Sequence, residues 1–571
     1  MLVETPVRTL IDVLRRVADR HESGYSYVNE NGTILFESFY DLHRRANRIG
    51  MALIAHGLEK GDRLGMILYD SQQFIASFFG AMLAGVIPVP ISPPPARFGQ
   101  SENSLRHVAP IVGKAQLRLL LTNEHLQPLL ARLDGQSAVC PILTLDTLLR
   151  ETGLHHDCPS VAIVAEDTAF LQFTSGSTSQ PKGVRVSHAN LVANIQVIAQ
   201  HGLQATQEDY CVSWLPLNHD MGLIGKVLVP MYAGMRGVLF MPPDIFLKRP
   251  LSWLHHISTQ KGTITFAPSF AYGLCVARAG GKSIAGLDLS SLRIAGCGAE
   301  PVRCEVLESF AQMFKPYGLR EEALMPCYGL AEHTLAAAFS PINTGMIVDR
   351  VRIEALARGH ASPVKNEAPA GRNEVAHIAS CGRSFPGHEI KIIDCEGNSL
   401  GERTVGEILL RGPSVAQGYF EDAGATASTW CDGWLHTGDL GYLAGGNLHV
   451  CGRSKDLIIV HGRNYHPQDI EWEAAQTQGS RQGSVVAFGF EDPTIGREHV
   501  IIVAETKLAV EHHGQLRQAI RTRLLETLSL AVDDVHLVPP RTLPKTSSGK
   551  LQRARTRDLF HSGKLGATAE S

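Results

Sequence analysis

An α/β fold with at least two folded units is expected from three features of the chain. They are its 571 residues, an alternation of helix-period and strand-period apolar patterns, and short apolar runs bounded by glycine, proline or serine. A chain of this length exceeds what one hydrophobic core can organise. The alternation starts at residue 34: Ser38 is placed to cap a helix bearing Leu42, Ala46, Ile49 and Leu53, and RLGMIL from Arg63 then reads as a strand. TAFLQF, GTITFAPS and SLRIAGCG repeat the strand signal, so several parallel-type sheets are expected.

Near the N-terminus Leu10, Val13, Leu14 and Val17 recur at helical spacing with Arg15, Arg16, Asp19 and Arg20 between them, which reads as an amphipathic surface helix and not a signal peptide. The uncharged stretch Phe74 to Ile91 is interrupted by Gly80, Gly85, Pro88 and Pro90; it reads as a buried helix followed by a buried strand, not a membrane span. Hydrophobic residues make up 44% and charged residues 19%, ample for folded cores. The balance of 53 basic and 56 acidic residues offers no basic field for nucleic acid. Eleven cysteines without a CxxC pair suit neither a disulfide framework nor a zinc site, which points to a reducing cytoplasm.

Two stretches break the rhythm. Residues 345 to 380 are polar and mixed in pattern and read as an insertion with little core of its own. After CGRSKDLIIVHGRN a smaller mixed α+β unit follows, with strands VVAFGF, VIIVAET and VHLVP around a helix bearing Leu516, Ile520, Leu524 and Leu528. The boundary is placed at Lys455, giving units 1–454 and 455–571, and residues 563–571 read as a disordered tail.

The segment FTSGSTSQPKGV, Phe173 to Val184, gathers five hydroxyl residues, two glycines and a lysine behind an apolar strand. Glycine admits close backbone approach to an anion, hydroxyl and N–H groups donate, and lysine adds charge, so Thr174, Ser175, Gly176, Ser177, Thr178 and Lys182 are candidate phosphate donors. It is not a Walker loop: Pro181 precedes the lysine, Gly183 follows it, and the next pattern is a strand. A flexible Ser/Gly linker is the plainer alternative for this segment alone.

Five segments in order (FTSGSTSQPKGV, YGLAEHT at 328, GWLHTGDLG at 433, GRSKDLII at 452 and PKTSSGKLQR at 544) resemble the signatures of the adenylate-forming superfamily of acyl-CoA synthetases, luciferases and peptide-synthetase adenylation domains. The resemblance implies a large N-terminal domain, a mobile small C-terminal domain, and ATP and Mg²⁺ bound between them. By it, Glu332 with Thr174 would hold Mg²⁺, Tyr328 and Gly329 would meet the adenine, and Asp439 and Arg453 the ribose. Gly298, Ala299 and Glu300 would line the adenine pocket, Lys550 would steady the reacting carboxylate and α-phosphate, and Lys455 would be the hinge. Each residue alone could be an ordinary surface charge; their joint order carries the assignment.

SWLPLNHDMGLIG, with His219 and Gly222, resembles enzymes of aliphatic acids, whereas an amino-acid-activating domain would need a buried Asp that Asp220 does not suit in context. With PPDIFLKRPLSWLHHIS, GAEPVR and GRNYHPQDIE, it is most similar to fatty acyl-AMP ligases, which pass their product to the phosphopantetheine thiol of an acyl carrier protein. The long span from Glu332 to Gly382 matches the insertion that is lengthened in those ligases; an ordinary loop extension is the alternative. Asn218 and His333 depart from the pattern. No carrier-type serine motif follows the last unit, so a separate carrier protein is implied. The rivals are a long-chain acyl-CoA synthetase and a catalytically dead binding scaffold.

Overall fold

The computed structural model describes residues 7–29, 31–94, 105, 108–132, 140–150, 161–174, 181–280, 283–364, 374–460, 463–492, 497–528, 530–545 and 551–565. Local signals in the sequence are realised directly. Thr9 and Asp12 form a reciprocal capping box for the helix Leu10–Val17, with the Thr9 N–H donating to Asp12 Oδ2 at 2.8 Å. The apolar stripe of that helix, Leu10, Val13, Leu14 and Val17, is buried in the main core. Ser38 caps Phe39–Ala55 by accepting from the Asp41 N–H. The uncharged stretch is the helix Ser71–Leu83, buried from Phe74 to Leu83, followed by the strand Ile87–Pro90. Among the described residues no helix is long and apolar enough to cross a membrane.

The largest sheet runs, edge to edge, through Arg383–Ser384, Ala336–Phe339, Leu324–Gly329, Ile294–Cys297, Ile264–Ala267, Tyr210–Ser213, Gly237–Phe240, Gly24–Val28 and Ile34–Ser38. The strands from Leu324–Gly329 to Gly24–Val28 pair in parallel, and antiparallel pairing is confined to the two edges. A second, parallel sheet has the order Ile87–Pro90, Arg63–Ile67, Leu119–Thr122, Ile142–Thr144. Helices cover both sheets, the arrangement parallel strands need because both faces must be kept from water. A third sheet is antiparallel, built on the long strand Trp434–Ala444 with Asn447–Arg453 beside it.

The inserted region is less bare than its composition suggests. Val348–Arg352 and Val375–Ala379 form a ribbon, and Val351 and Ala361 share a buried cluster with Tyr442, Ala444 and Cys451 of the antiparallel sheet. Asp349 fixes it there, accepting from the Tyr442 hydroxyl and from Arg403, each at 2.9 Å. The polar pattern hid this core because much of the ribbon's apolar contact lies on the neighbouring sheet.

From Ile458 onward the chain builds cores from its own residues, with Ser480–Asp492, Arg497–Thr506 and Asp534–Val538 as a sheet and Leu516, Ile520 and Leu524 buried on His513–Leu528. Of the tail expected from residue 563, Gly563 to Leu565 are described and Leu565 packs on the cluster around Val486; the rest lies outside the described residues. Arg303 joins the two halves of the chain: its guanidinium donates to Asp469 at 2.9 Å and to the Gln468 carbonyl, and lies over the Trp472 ring.

Candidate functional site

In an open parallel sheet, ligands meet the carboxyl ends of the strands, and two of the sequence motifs arrive there. Ile294–Cys297 runs into Gly298, Ala299 and Glu300, and Leu324–Gly329 carries Tyr328 and leads to Glu332. Backbones crowd at this edge. A Cβ on Gly329 would lie 1.9 Å from the Leu335 carbonyl oxygen, and one on Gly298 would lie 2.5 Å from Cys327 Sγ, so neither position accepts a side chain without movement. Ala299 has φ +66°, a turn geometry that aims the loop away from the strand. Glu300 braces the loop by accepting the Phe270 N–H at 2.9 Å.

The antiparallel sheet delivers the next pair. Asp439 and Arg453 sit opposite each other on Trp434–Ala444 and Asn447–Arg453, so strand register alone brings guanidinium to carboxylate, Nε to Oδ1 at 3.0 Å. The Tyr328 hydroxyl donates to Asp439 Oδ2 at 2.7 Å. Asp439 is buried while Arg453 is half in solvent. Each carboxylate oxygen engaged this way keeps a lone pair for a further donor.

Glu332 lies on the short turn Ala331–His333, close enough to Asp439 and Arg453 to feel both charges. Burial pushes its carboxyl above the ordinary glutamate range, opposed chiefly by a hydrogen bond from the Tyr419 hydroxyl at 2.8 Å. Residues 417–420 lie against Lys182–Ser187 like a further strand: the Arg185 N–H donates to the Gly418 carbonyl and the Phe420 N–H to the Gly183 carbonyl. That pairing places the Tyr419 ring beneath the Lys182 ammonium, 4.6 Å from centroid to Nζ. Thr174 pairs with Lys182 across the hairpin that closes the hydroxyl-rich loop. Ser175, Gly176, Ser177 and Thr178 lie outside the described residues, as does Lys550. The stem of the Lys550 loop is fixed by a bridge between Lys545 and Leu551 and by Arg553, which grips both oxygens of Glu471 at 2.6 and 2.8 Å and Asp456 at 2.8 Å.

Other candidates sit apart from this cluster. His219 Nδ1 stands 2.6 Å from Asp220 Oδ1, so that carboxylate is already engaged. Lys455 is exposed on the turn Ser454–Asp456. His333 is buried and its Nδ1 bonds the Ala336 carbonyl at 3.0 Å; burial holds its pKa down at about 3, so it is a neutral strut for the Glu332 turn. Tyr419 and Arg553 were missed by sequence reasoning. AQGYF has no spacing signal, and only the strand-like contact with Lys182–Ser187 reveals Tyr419; Arg553 closed the PKTSSGKLQR match without being given a role.

Thr174, Lys182, Tyr419 and Glu332 thus adjoin Tyr328, Asp439 and Arg453, a set of phosphate-type donors beside a polar pair suited to a sugar. Among the described residues no group of three or more His, Cys, Asp or Glu could hold a metal. A single carboxylate and a threonine hydroxyl are hard oxygen donors of the kind Mg²⁺ takes when phosphates complete its shell.

The AMP-binding enzyme family matches residues 14–420, and the chain belongs to that family. A second family, Disco-interacting protein 2-like, AMP domain, matches residues 455–570. The chain is 35% identical to a putative acyl-CoA synthetase of Caulobacter vibrioides, over 90% of this chain and 88% of that protein. It is 32% identical to a medium-chain-fatty-acid–[acyl-carrier-protein] ligase of Moorena producens, over 98% of this chain and 96% of the relative. A solved structure from work on fatty acyl-adenylate ligases of E. coli and L. pneumophila is 34% identical and matches with a TM-score of 0.89, covering 97% of this chain and 98% of its own. The fold is that of the adenylate-forming enzymes.

Proposed function

We propose that the protein uses ATP to convert a medium- or long-chain fatty acid into fatty acyl-AMP, releasing pyrophosphate, and passes the acyl group to the phosphopantetheine thiol of a separate acyl carrier protein. The observation that carries this reading is the adjacency of the Tyr328–Asp439–Arg453 network to Glu332, Tyr419 and Lys182 at the base of the hydroxyl-rich loop. The names of the Moorena and E. coli/L. pneumophila relatives support the choice of acid.

The acid is already ionised at neutral pH, so its carboxylate needs no base to attack the α-phosphorus in line. Asp439 and Arg453 hold the ribose, and Tyr328 and Gly329 with the Gly298–Glu300 loop hold the base. Thr174, Ser175, Gly176, Ser177, Thr178 and Lys182 cradle the phosphates, Lys182 offsetting charge on the departing pyrophosphate. Glu332 and Thr174 are the residues that would hold Mg²⁺, which when bound neutralises polyphosphate charge. His219 closes the acyl side. Lys550, carried by unit 455–571, reaches the carboxylate and bridging oxygen when that unit turns about Lys455; Lys550→Ala should cost on the order of 10²–10³ in adenylation rate. The ribbon of Val348–Arg352 and Val375–Ala379, which sits on the antiparallel sheet and meets Cys304, next to Arg303, at the His377 carbonyl, would limit the turn and so disfavour free CoA. A reducing cytoplasm is the compartment that the cysteine pattern of the sequence suggests.

The test is product analysis with ATP, Mg²⁺ and dodecanoate, with CoA, with holo-carrier protein, or with neither. Acyl-AMP that accumulates beside CoA and is chased onto the carrier is the expected result. Rapid acyl-CoA formation would make the protein a CoA synthetase and the ribbon a plain surface extension.

A further inference from the structure

Among the described residues, five acids are at most 9% exposed and each faces a basic group: Glu37 faces Arg45, Asp209 faces Arg293, Asp220 faces His219, Asp439 faces Arg453 and Glu505 faces Arg481. Lys226, at 1% exposure, breaks that rule. Its ammonium has no carboxylate and no hydrogen-bond acceptor among the described residues; it lies over the face of Phe266, 4.1 Å from the ring centroid. A ring face and an apolar surround do not replace the water an ammonium gives up.

The position is as telling as the missing partner. Lys226 lies in the wide-turned segment Ile224–Leu228, directly after the helical turn that His219 and Asp220 begin. Such π-type turns cluster at functional sites because they displace a side chain from the regular helical face. Phe266 is on Ile264–Ala267, and its ring fills the place a Cβ on Gly296 would take, 2.2 Å away. The thiols near Lys226 are those of Cys211 and Cys327, both kept in the neutral form by burial; Cys327 precedes Tyr328 and lies against Gly298. A Cβ on Gly225, one residue before the lysine, would lie 3.4 Å from the Leu335 side chain, two residues past the Glu332 turn. The ammonium is therefore held inside the protein among the same strand ends and loops that carry the nucleotide motifs, on the helix that follows His219. Burial also pulls the Lys226 pKa below the usual lysine value.

We propose that Lys226 determines acyl specificity by pairing with an oxygen acceptor, a second carboxylate or a hydroxyl, on the acyl chain remote from the carboxyl that is adenylated. This rests on the fatty-acid reading above. An unsubstituted chain leaves the ammonium buried against hydrocarbon, whereas a substituted chain satisfies it, and sites built for a polar group discriminate strongly against analogues that lack it.

The experiment is ATP–pyrophosphate exchange by the full chain with monoacids, α,ω-diacids and hydroxy acids from six to sixteen carbons, for wild type, Lys226→Met and Lys226→Gln. Wild type should favour at least one oxygen-bearing acid over the monoacid of equal length by about tenfold or more in kcat/KM. Lys226→Met should invert the ratio and Lys226→Gln keep a preference for the hydroxy acid alone. Monoacids preferred by wild type at every length overturn the proposal without need of a folded variant, and so does an unchanged ratio in a folded Lys226→Met. Exchange with no acid at all overturns the adenylation reading and takes this proposal with it.

Discussion

Asp439, buried, and Glu332, half-buried, are two carboxylates of one site, and their environments differ in one respect. Asp439 has a guanidinium at 3.0 Å and a phenol at 2.7 Å, so its charge is balanced before any ligand arrives. Glu332 has a phenol at 2.8 Å, and its carboxyl is pushed upward by burial. A balanced carboxylate can accept hydrogen bonds from neutral hydroxyls at little cost, which suits a ribose. One that pays its desolvation without a bonded cation is poised for a cation brought with the substrate.

Glu332→Gln should break the comparison most. The amide keeps size and one oxygen but cannot supply a hard anion, so adenylation should fall by about 10²–10³ with the Mg²⁺ requirement shifted to higher concentration. Its stability effect should have the opposite sign. A carboxyl whose folded pKa is raised favours folding less as pH rises past its unfolded value, so at pH 7 the ionised Glu332 opposes folding and the Gln variant should melt at higher temperature. A lower melting temperature would mean that Glu332 is satisfied without a metal. Pyrophosphate exchange and thermal unfolding read both effects.

Asp439→Asn should do less to the chemistry and the reverse to the fold. Removing a charge-assisted acceptor costs about 1.5–3 kcal/mol, or about 10- to 100-fold, which should fall on the KM for ATP with a smaller change in kcat. Arg453 loses its partner but is half in solvent, so the melting temperature should drop only by the equivalent of about 1 kcal/mol or less. A kcat loss as large as that of Glu332→Gln would remove the distinction between the two carboxylates.

This distinction was only half legible in the sequence. The α/β class, the helix at Leu10, the capped helix at Ser38 and the strands at Arg63, Thr168 and Ile264 follow from local periodicity and capping, which the chain writes residue by residue. Glu332, Asp439 and Arg453 could be named from motif order, but their unequal compensation could not, because it depends on the register that sets Asp439 opposite Arg453 and on the strand-like pairing that carries Tyr419 to Glu332. The core beneath the ribbon 345–380 escaped for the same reason: Val351 packs on residues nearly a hundred positions away. Lys226 drew no reading from the sequence, since burial without a partner is a property of the assembled sheet.

The smallest and sharpest test is of pH. Wild-type kcat/KM should lose activity on the acid side above the ordinary glutamate range of about 4.3, because the metal-binding form of Glu332 is the carboxylate and burial makes it give way to the neutral acid earlier as pH falls. Tyr419 donates to that carboxylate and so holds its pKa down; Tyr419→Phe removes the donor and should move the acid limb to still higher pH. Near pH 8, where both enzymes carry an ionised Glu332, the variant should lose only about three- to tenfold, the worth of one hydrogen bond to a charged group less what water recovers. If the limb stays in place while activity drops evenly at every pH, Tyr419 acts through the Lys182 ammonium over its ring and not through Glu332. The phosphate contact would then be what separates the two carboxylates.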